Sequence, residues 1–125
     1  PELTPAERNA EWNKLEAKFR PYLNTEGMRY FEKGTRWQYQ MHIYESPFYY
    51  IDYCLAQSNA LQFLFASLAD YDDAFKRYYK FTSHYGTELF TDMLKEAGIN
   101  SPFEKGALKK VAEESEKVLK KLSAK

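Results

Sequence analysis

The chain has 125 residues, with 18 basic and 18 acidic side chains and no formal net charge, and this length suits one domain, which we assign to residues 1–125. Its 11 Tyr, 9 Phe and 2 Trp exclude intrinsic disorder, and its balanced charge gives no reason to expect nucleic acid or an anionic membrane as a partner. The single Cys excludes an internal disulfide framework and a multi-thiolate zinc site.

The first predicted element is a helix near the amino end of the chain. Thr4-Pro5-Ala6-Glu7 has the pattern of a capping box with proline at the first helical position. The apolar residues that follow recur at helical spacing: Trp12, Leu15 and Phe19. Pro21 ends this helix, and residues 22–35 are predicted to be irregular.

Residues 36–44 alternate between apolar and polar side chains and predict a short extended segment. One phase holds Trp37, Tyr39, Met41 and Ile43, and the other holds Arg36, Gln38, Gln40 and His42. A period of two is typical of a strand with one packed face. His42 would then point with the polar set.

The longest predicted helix covers residues 48–69. Ser46-Pro47 supplies a cap and a first-turn proline, and the helix is apolar on most sides, which is typical of a central helix. Asp52 and three side-chain amides interrupt the apolar run. These polar groups argue against a membrane-spanning segment.

Three further helices are predicted after the central one. Asp70 or Asp72 starts the first, Gly98 closes the short second one, and Ser101-Pro102-Phe103-Glu104 repeats the capping-box pattern before the last. The predicted fold is therefore all-α, a helical bundle of about five helices with a short extended segment before the central helix.

The residues best suited to chemistry surround the start of the central helix. His42 precedes it, and Tyr49, Tyr50 and Tyr53 fall in its first two turns, where free backbone N–H groups add positive potential. Imidazole and phenol groups donate hydrogen bonds, which a developing oxyanion requires. Tyrosines at helical spacing are more often part of a packed core, so a structural role stays open.

Asp52 and Cys54 lie on the same predicted helix. A carboxylate on a mostly apolar helix needs a partner, and Arg36, Arg29 or a group outside this chain are candidates. A structural ion pair or hydrogen-bond hub is the simpler interpretation of Asp52. Cys54, among apolar residues, is predicted to be a buried and inert thiol.

Common catalytic motifs do not occur in the sequence. It contains no His-Glu-x-x-His, no glycine-rich phosphate loop and no Gly-x-Ser-x-Gly. The two histidines, His42 and His84, are not at a metal-ligand spacing. The residues alone therefore predict no metal site in this chain.

The segment from His42 to Gln57 reads His-Ile-Tyr-Glu-Ser-Pro-Phe-Tyr-Tyr-Ile-Asp-Tyr-Cys-Leu-Ala-Gln. It resembles the signature near the C-terminus of the oligoendopeptidase F family, zinc metallopeptidases related to thimet oligopeptidase. Trp37 stands where the family has a tryptophan before this motif. Residues 78–86 resemble the family's tyrosine-containing helix before a glycine turn, and residues 95–103 resemble the Ala-Gly and Pro-Phe entry to its final helix. Residues 1–35 match more loosely, so the resemblance covers nearly the whole chain.

The resemblance implies the helical C-terminal part of a mainly helical peptidase that hydrolyses short peptides in the cytoplasm. In that family zinc and a Glu activate water, while His and Tyr groups from the C-terminal region stabilise the oxyanion and hold the substrate. The family's His, its Tyr cluster and its supporting Asp correspond here to His42, to Tyr49, Tyr50 and Tyr53, and to Asp52. Which tyrosine faces the cleft stays open.

The family's zinc ligands lie upstream of the matching region, and the His-Glu-x-x-His is not in this sequence. The resemblance therefore implies zinc in the intact enzyme only, with no ligand from this chain, and an isolated chain that is inactive. The start at Pro1 instead of Met fits a C-terminal fragment of a larger protein or a processed chain.

The implied partners are short peptide substrates and the missing N-terminal part of the same enzyme. Apolar surface exposed by its loss would favour a homo-oligomer. The alternative is a stand-alone helical module that binds peptides or other partners without catalysis. A His-Glu-x-x-His encoded upstream of Pro1 would decide for the peptidase, and a start codon a few residues upstream would decide for the module.

Overall fold

The computed structural model describes residues 2–124, and its regular elements are helical. Six α-helices follow one another: α1 (Pro5–Phe19), α2 (His42–Glu45), α3 (Tyr50–Ala69), α4 (Tyr71–Ser83), α5 (Phe90–Glu96) and α6 (Ala107–Ser123). Two 3₁₀-helices, Phe31–Lys33 and Thr35–Tyr39, lie between α1 and α2. No strand forms within residues 2–124, so the predicted all-α class is confirmed.

The chain divides into two compact units, Pro1–Tyr50 and Ile51–Lys125. The boundary falls inside α3, directly after its first residue. The assignment of one domain to the whole chain stays a prediction.

In the first unit, α1 begins where the sequence predicts. The Thr4 hydroxyl accepts a hydrogen bond from the Glu7 N–H at 3.4 Å, and Glu7 Oε2 accepts one from the Thr4 N–H at 2.8 Å, which completes the capping box. Hydrogen bonds from Thr4, chiefly from its hydroxyl, lower the pKa of the Glu7 carboxyl. The helix ends at Phe19, before Pro21.

The predicted extended segment at residues 36–44 is wrong. Thr35–Tyr39 forms a 3₁₀-helix, and α2 follows almost at once. Local turns pair the backbone within the segment, as where the Gln40 N–H donates to the Trp37 carbonyl at 3.0 Å. An extended segment needs a neighbouring strand to satisfy the same groups, and residues 2–124 provide none.

The long helix α3 begins later than the sequence suggests. It starts at Tyr50, two residues after the predicted start at Phe48, and it ends at Ala69 as predicted. Asp70 then caps α4, because its Oδ1 accepts a hydrogen bond from the Asp73 N–H at 3.0 Å. No helix within residues 2–124 is both long and apolar enough to cross a membrane.

The burial of α3 differs from that of a central helix. Its two buried residues are the polar Ser58 and Asn59. Apolar side chains such as Leu64 and Leu68 are exposed, and so is Cys54, contrary to its predicted burial. The apolar character of α3 is therefore only partly satisfied by packing among the described residues.

The core of the second unit lies at the carboxyl end of α5. Its buried residues are Leu94, Ala97 and Ile99, and the half-buried Phe63, Phe81 and Phe90 pack against them. Arg77 of α4 donates from Nε to the Ala97 carbonyl at 2.7 Å and from Nη2 to the Gly98 carbonyl at 2.6 Å. These bonds satisfy carbonyls just beyond the end of α5 and tie that end to α4.

The last helix also begins later than predicted. It starts at Ala107, after Gly106 with φ +83°, and not at the Ser101 capping pattern. Residues 101–104 form a turn instead, in which the Glu104 N–H donates to the Ser101 carbonyl at 3.0 Å.

Candidate functional site

His42 lies in the first unit, at the start of α2, and its side chain is half-buried. Its ring centroid is 4.4 Å from that of Tyr50, with the planes at 41°, and 5.6 Å from that of Tyr49, with the planes at 15°. These ring contacts orient the imidazole. The structure therefore brings together His42 and two of the three predicted tyrosines.

Tyr50 is the first residue of α3, and its ring is placed by a second contact. Its hydroxyl donates a hydrogen bond to Oε1 of Gln40 at 2.5 Å. Gln40 follows the 3₁₀-helix that precedes α2 and is half-buried. The Tyr50 phenol is thus held in one orientation, with its hydroxyl beside Gln40 and close to the start of α2, which carries His42.

The segment that carries His42 is attached to α1 through two polar contacts. Trp37 Nε1 donates to Oδ1 of Asn9 at 2.9 Å. Arg36 Nε lies 3.3 Å from Oε1 of Glu16, and these two side chains are only 24% and 12% exposed. Such a shielded ion pair resists solvent screening better than a surface pair. Arg36, a predicted partner of Asp52, is thus paired with Glu16 instead.

Gly34 allows this segment to approach α1 closely. Its φ is +75°, and a Cβ added there would lie 2.2 Å from the Asn9 carbonyl oxygen. A side chain at this position would therefore both strain the backbone and push α1 away. The contact between Trp37 and Asn9 depends on this glycine, and so does the position of the turn that leads to His42.

Tyr49 does not lie on α3, so its predicted place in the first two turns of that helix is wrong. Phe48 adopts φ +70°, and the Tyr49 N–H donates to the Ser46 carbonyl at 3.1 Å in a turn before the helix. Asp52 and Tyr53 follow in the first turn of α3, in the second unit, and both are exposed. The water-exposed Asp52 carboxylate does not need the ion-pair partner that burial would require.

Three residues that support the site had no signal in the sequence. The sequence places Gln40 only in the polar phase of an alternating segment, and Asn9 and Glu16 lie within α1, far in sequence from the segment that carries His42. Their roles arise from contacts between residues 20 or more positions apart in two cases, Asn9 with Trp37 and Glu16 with Arg36. Only Gly34 could have been found, since a glycine in an irregular stretch suggests a positive φ.

The residues around His42 do not fit a metal centre. Among residues 2–124, the group of ligand-type side chains that could hold an ion is His84, Glu88 and Glu96, and it does not include His42. His84 Nδ1 lies 2.9 Å from Glu88 Oε1, and Lys80 Nζ lies 3.4 Å from Glu96 Oε2. Lys80 already supplies a cation to that group, so it is explained as an ion-pair network.

Two solved peptidase structures are similar to this chain over nearly its whole length. A structure described as an oligoendopeptidase F has a TM-score of 0.87 and 39% sequence identity over 96% of this chain. PZ peptidase A with an inhibitor has a TM-score of 0.86 and 40% identity over 94% of this chain. The predicted resemblance is thereby confirmed.

The chain spans about a fifth of the solved structures that it matches, 21% in both cases. No protein-family model matches the sequence. No curated protein shows a significant match.

Proposed function

We propose that this chain is the C-terminal part of an oligoendopeptidase F-type peptidase and supplies groups that bind a short peptide and stabilise its reacting carbonyl. The observation that carries the proposal is the 39–40% identity to solved peptidases over 94–96% of the chain. The intact enzyme would act in the cytoplasm on short, unfolded peptides.

The chemistry assigned to this chain is hydrogen-bond donation by His42 and Tyr50. Both rings are oriented before substrate binds, by their mutual contact at 4.4 Å and by the bond from Tyr50 to Gln40. When a peptide carbonyl develops negative charge, a preorganised phenol or imidazole donor stabilises that charge without further reorganisation. The Tyr50 hydroxyl would give up its hydrogen bond to the neutral Gln40 amide and donate to the substrate oxygen, which carries more negative charge.

Tyr49 and Tyr53 are assigned to substrate binding, and Asp52 to support of these groups. Tyr49 stacks on His42, so it shapes the side of the imidazole that a peptide would meet. Tyr53 and Asp52 project from the first turn of α3 and are exposed. An exposed phenol offers both an apolar ring and a hydrogen-bonding tip to an extended peptide.

Water activation is assigned to the part of the enzyme outside this chain. The residues around His42 do not fit a zinc site, so this chain's own groups would act only on the peptide. We accordingly propose that the isolated chain hydrolyses no peptide.

The test replaces the matching fifth of the solved oligoendopeptidase F with this chain and measures hydrolysis of a fluorescence-quenched short peptide. We expect the chimera to be active and His42→Ala to lower kcat by about 10²–10³, the cost of one oxyanion donor. His84→Ala is the matched control, because His84 lies in the ion-pair network with Glu88. A folded chimera in which both histidine variants keep the parent rate would contradict the proposal.

A further inference from the structure

The helix α3 exposes an apolar stripe along one face. Its members recur four residues apart, which places them on one side of the helix: Ala60, Leu64 and Leu68. Leu64 and Leu68 are large hydrophobic side chains with substantial exposure. The polar Ser58 and Asn59 are buried instead. This burial pattern is the reverse of that expected for a helix whose apolar face is packed in a core.

The stripe continues into a groove between α3 and α4 within the second unit. The groove has a volume of about 260 Å³, and Phe63, Leu64, Tyr71, Phe75 and Tyr78 contribute to its lining. Its remaining lining residues, Ala60, Ser67 and Ala74, are small, and no charged side chain lines it. Small residues between large apolar ones are suited to the close approach of another helix.

We propose that this α3–α4 face, the stripe together with the groove, binds an apolar helix from the remaining four fifths of the larger peptidase. The two solved peptidases reproduce this chain at TM-scores of 0.87 and 0.86, each within a polypeptide of which it covers 21%. The same helix pair therefore exists there with much additional chain available to cover it. This inference rests on the proposed function.

The chemistry of the face specifies its occupant. A charged partner would lose its hydration in a groove without a counter-charge, so the occupant must be apolar where it touches α3. The stripe runs from Ala60 to Leu68, about 12 Å along the helix axis at 1.5 Å per residue. An apolar helical face of about two turns would cover it.

The experiment compares two leucines of equal exposure, in the chimera with oligoendopeptidase F and in the free 125-residue chain. Leu68 on the α3–α4 face and Leu119 on α6 are both 62% exposed. Leu68→Gln should lower the midpoint of thermal denaturation of the chimera by about 3 °C or more, and Leu119→Gln should change it by less than about 1 °C. At a concentration where the free chain is monomeric, neither leucine variant should lower its midpoint. Phe75→Ser should behave as Leu68→Gln does in both proteins.

Several results would overturn the inference. An equal loss for Leu68→Gln in the chimera and the free chain would mean that the face is packed within this chain. No loss in the chimera, or a chimera that does not fold, would mean that the larger polypeptide does not fit the face. A concentration-dependent midpoint of the free chain that Leu68→Gln abolishes, without effect in the chimera, would assign the face to a second copy.

Failure of the proposed function would look different. A chimera that shows the Leu68 effect but hydrolyses no peptide would retain the docking face and contradict the catalytic assignment of His42 and Tyr50. A chimera that hydrolyses the peptide but is insensitive to Leu68→Gln would support the catalytic assignment and contradict the docking face.

Discussion

The ring of Tyr50 lies 4.4 Å from the imidazole of His42, centroid to centroid, while its hydroxyl donates to Gln40 at 2.5 Å. Tyr50, at the start of α3, is thus held at its ring by His42 and at its hydroxyl by Gln40. This arrangement separates two roles of the tyrosine, because a phenylalanine would keep the ring contact and lose only the hydroxyl.

The first prediction concerns that hydroxyl. In the chimera with oligoendopeptidase F, Tyr50→Phe should lower kcat by about 10²–10³, with a smaller change in KM, because the lost donor acts on charge that develops in the transition state. Steady-state hydrolysis of a quenched peptide measures both constants. Tyr30→Phe, also on an exposed tyrosine of the first unit, is the control and should leave kcat unchanged.

The Gln40→Leu variant distinguishes a Tyr50 hydroxyl that acts in catalysis from one that only stabilises the local structure before α3. The substitution removes the Gln40 acceptor of Tyr50 but keeps the hydroxyl itself, which can still donate to a substrate. We expect a loss in kcat of less than about tenfold, the size of one neutral hydrogen bond. Equal losses for Gln40→Leu and Tyr50→Phe would show that the Tyr50 hydroxyl acts through structure alone.

The helix ends that could be predicted are those with local capping chemistry. Thr4 with Glu7, and Asp70 with the Asp73 N–H, are bonds between residues three apart, so the sequence contains all that they require. The observed starts of α3 and α6 differ from the predicted ones because Phe48 and Gly106 adopt positive φ values just before them. A phenylalanine gives no sequence signal for that conformation.

The alternation at residues 36–44 predicts an extended segment that does not form, and the reason is different. Its apolar phase predicts one buried face, yet Tyr39 and Met41 are exposed while Gln40 and His42 of the polar phase are half-buried. The path of this segment is decided by Trp37 and Arg36 contacting α1 residues 28 and 20 positions earlier in the sequence. A nine-residue pattern cannot contain that information, although the motif residues themselves pointed to His42 and Tyr50.

The second prediction tests the close approach at Gly34. Gly34→Ala should lower the free energy of unfolding by more than about 2 kcal/mol, because it combines a left-handed backbone with a Cβ 2.2 Å from the Asn9 carbonyl oxygen. Urea denaturation followed by circular dichroism measures it. Gly27→Ala is the control, since Gly27 has φ +76° but nothing within 4 Å, and it should cost only about 1 kcal/mol. Equal losses would show that the contact with α1 contributes nothing.

The third prediction concerns the Arg77 bonds that hold the end of α5. Arg77→Met should lower the free energy of unfolding by about 2 kcal/mol, because the Ala97 and Gly98 carbonyls lose charged donors. Arg77→Lys should recover little of it, since an ammonium cannot reproduce the two-pronged guanidinium. The neighbouring Lys76→Met is the control, with a change below about 0.5 kcal/mol. A lysine variant as stable as the parent would contradict the geometric argument.

The fourth prediction is that the isolated chain binds no stoichiometric zinc. The group formed by His84, Glu88 and Glu96 is the place to look, but Lys80 lies 3.4 Å from Glu96 and competes with any cation there. Dialysis against dilute zinc, mild chelation and metal analysis should leave far less than one ion per chain. Zinc near one per chain in the parent and lost in His84→Ala would contradict this prediction and identify the ligand.

The last prediction follows from the exposed α3–α4 face. Without a larger polypeptide to cover it, the isolated chain should associate as its concentration rises, because contiguous apolar surface is removed from water by self-contact. Light scattering should give a mass above the 14.8 kDa of a monomer at high concentration, and Leu68→Gln should lower that mass more than Leu119→Gln, which lies on α6. A monomeric mass throughout would show that the face does not drive self-association. Equal effects of the two variants would show that association uses the apolar surface at large and is not specific to α3 and α4.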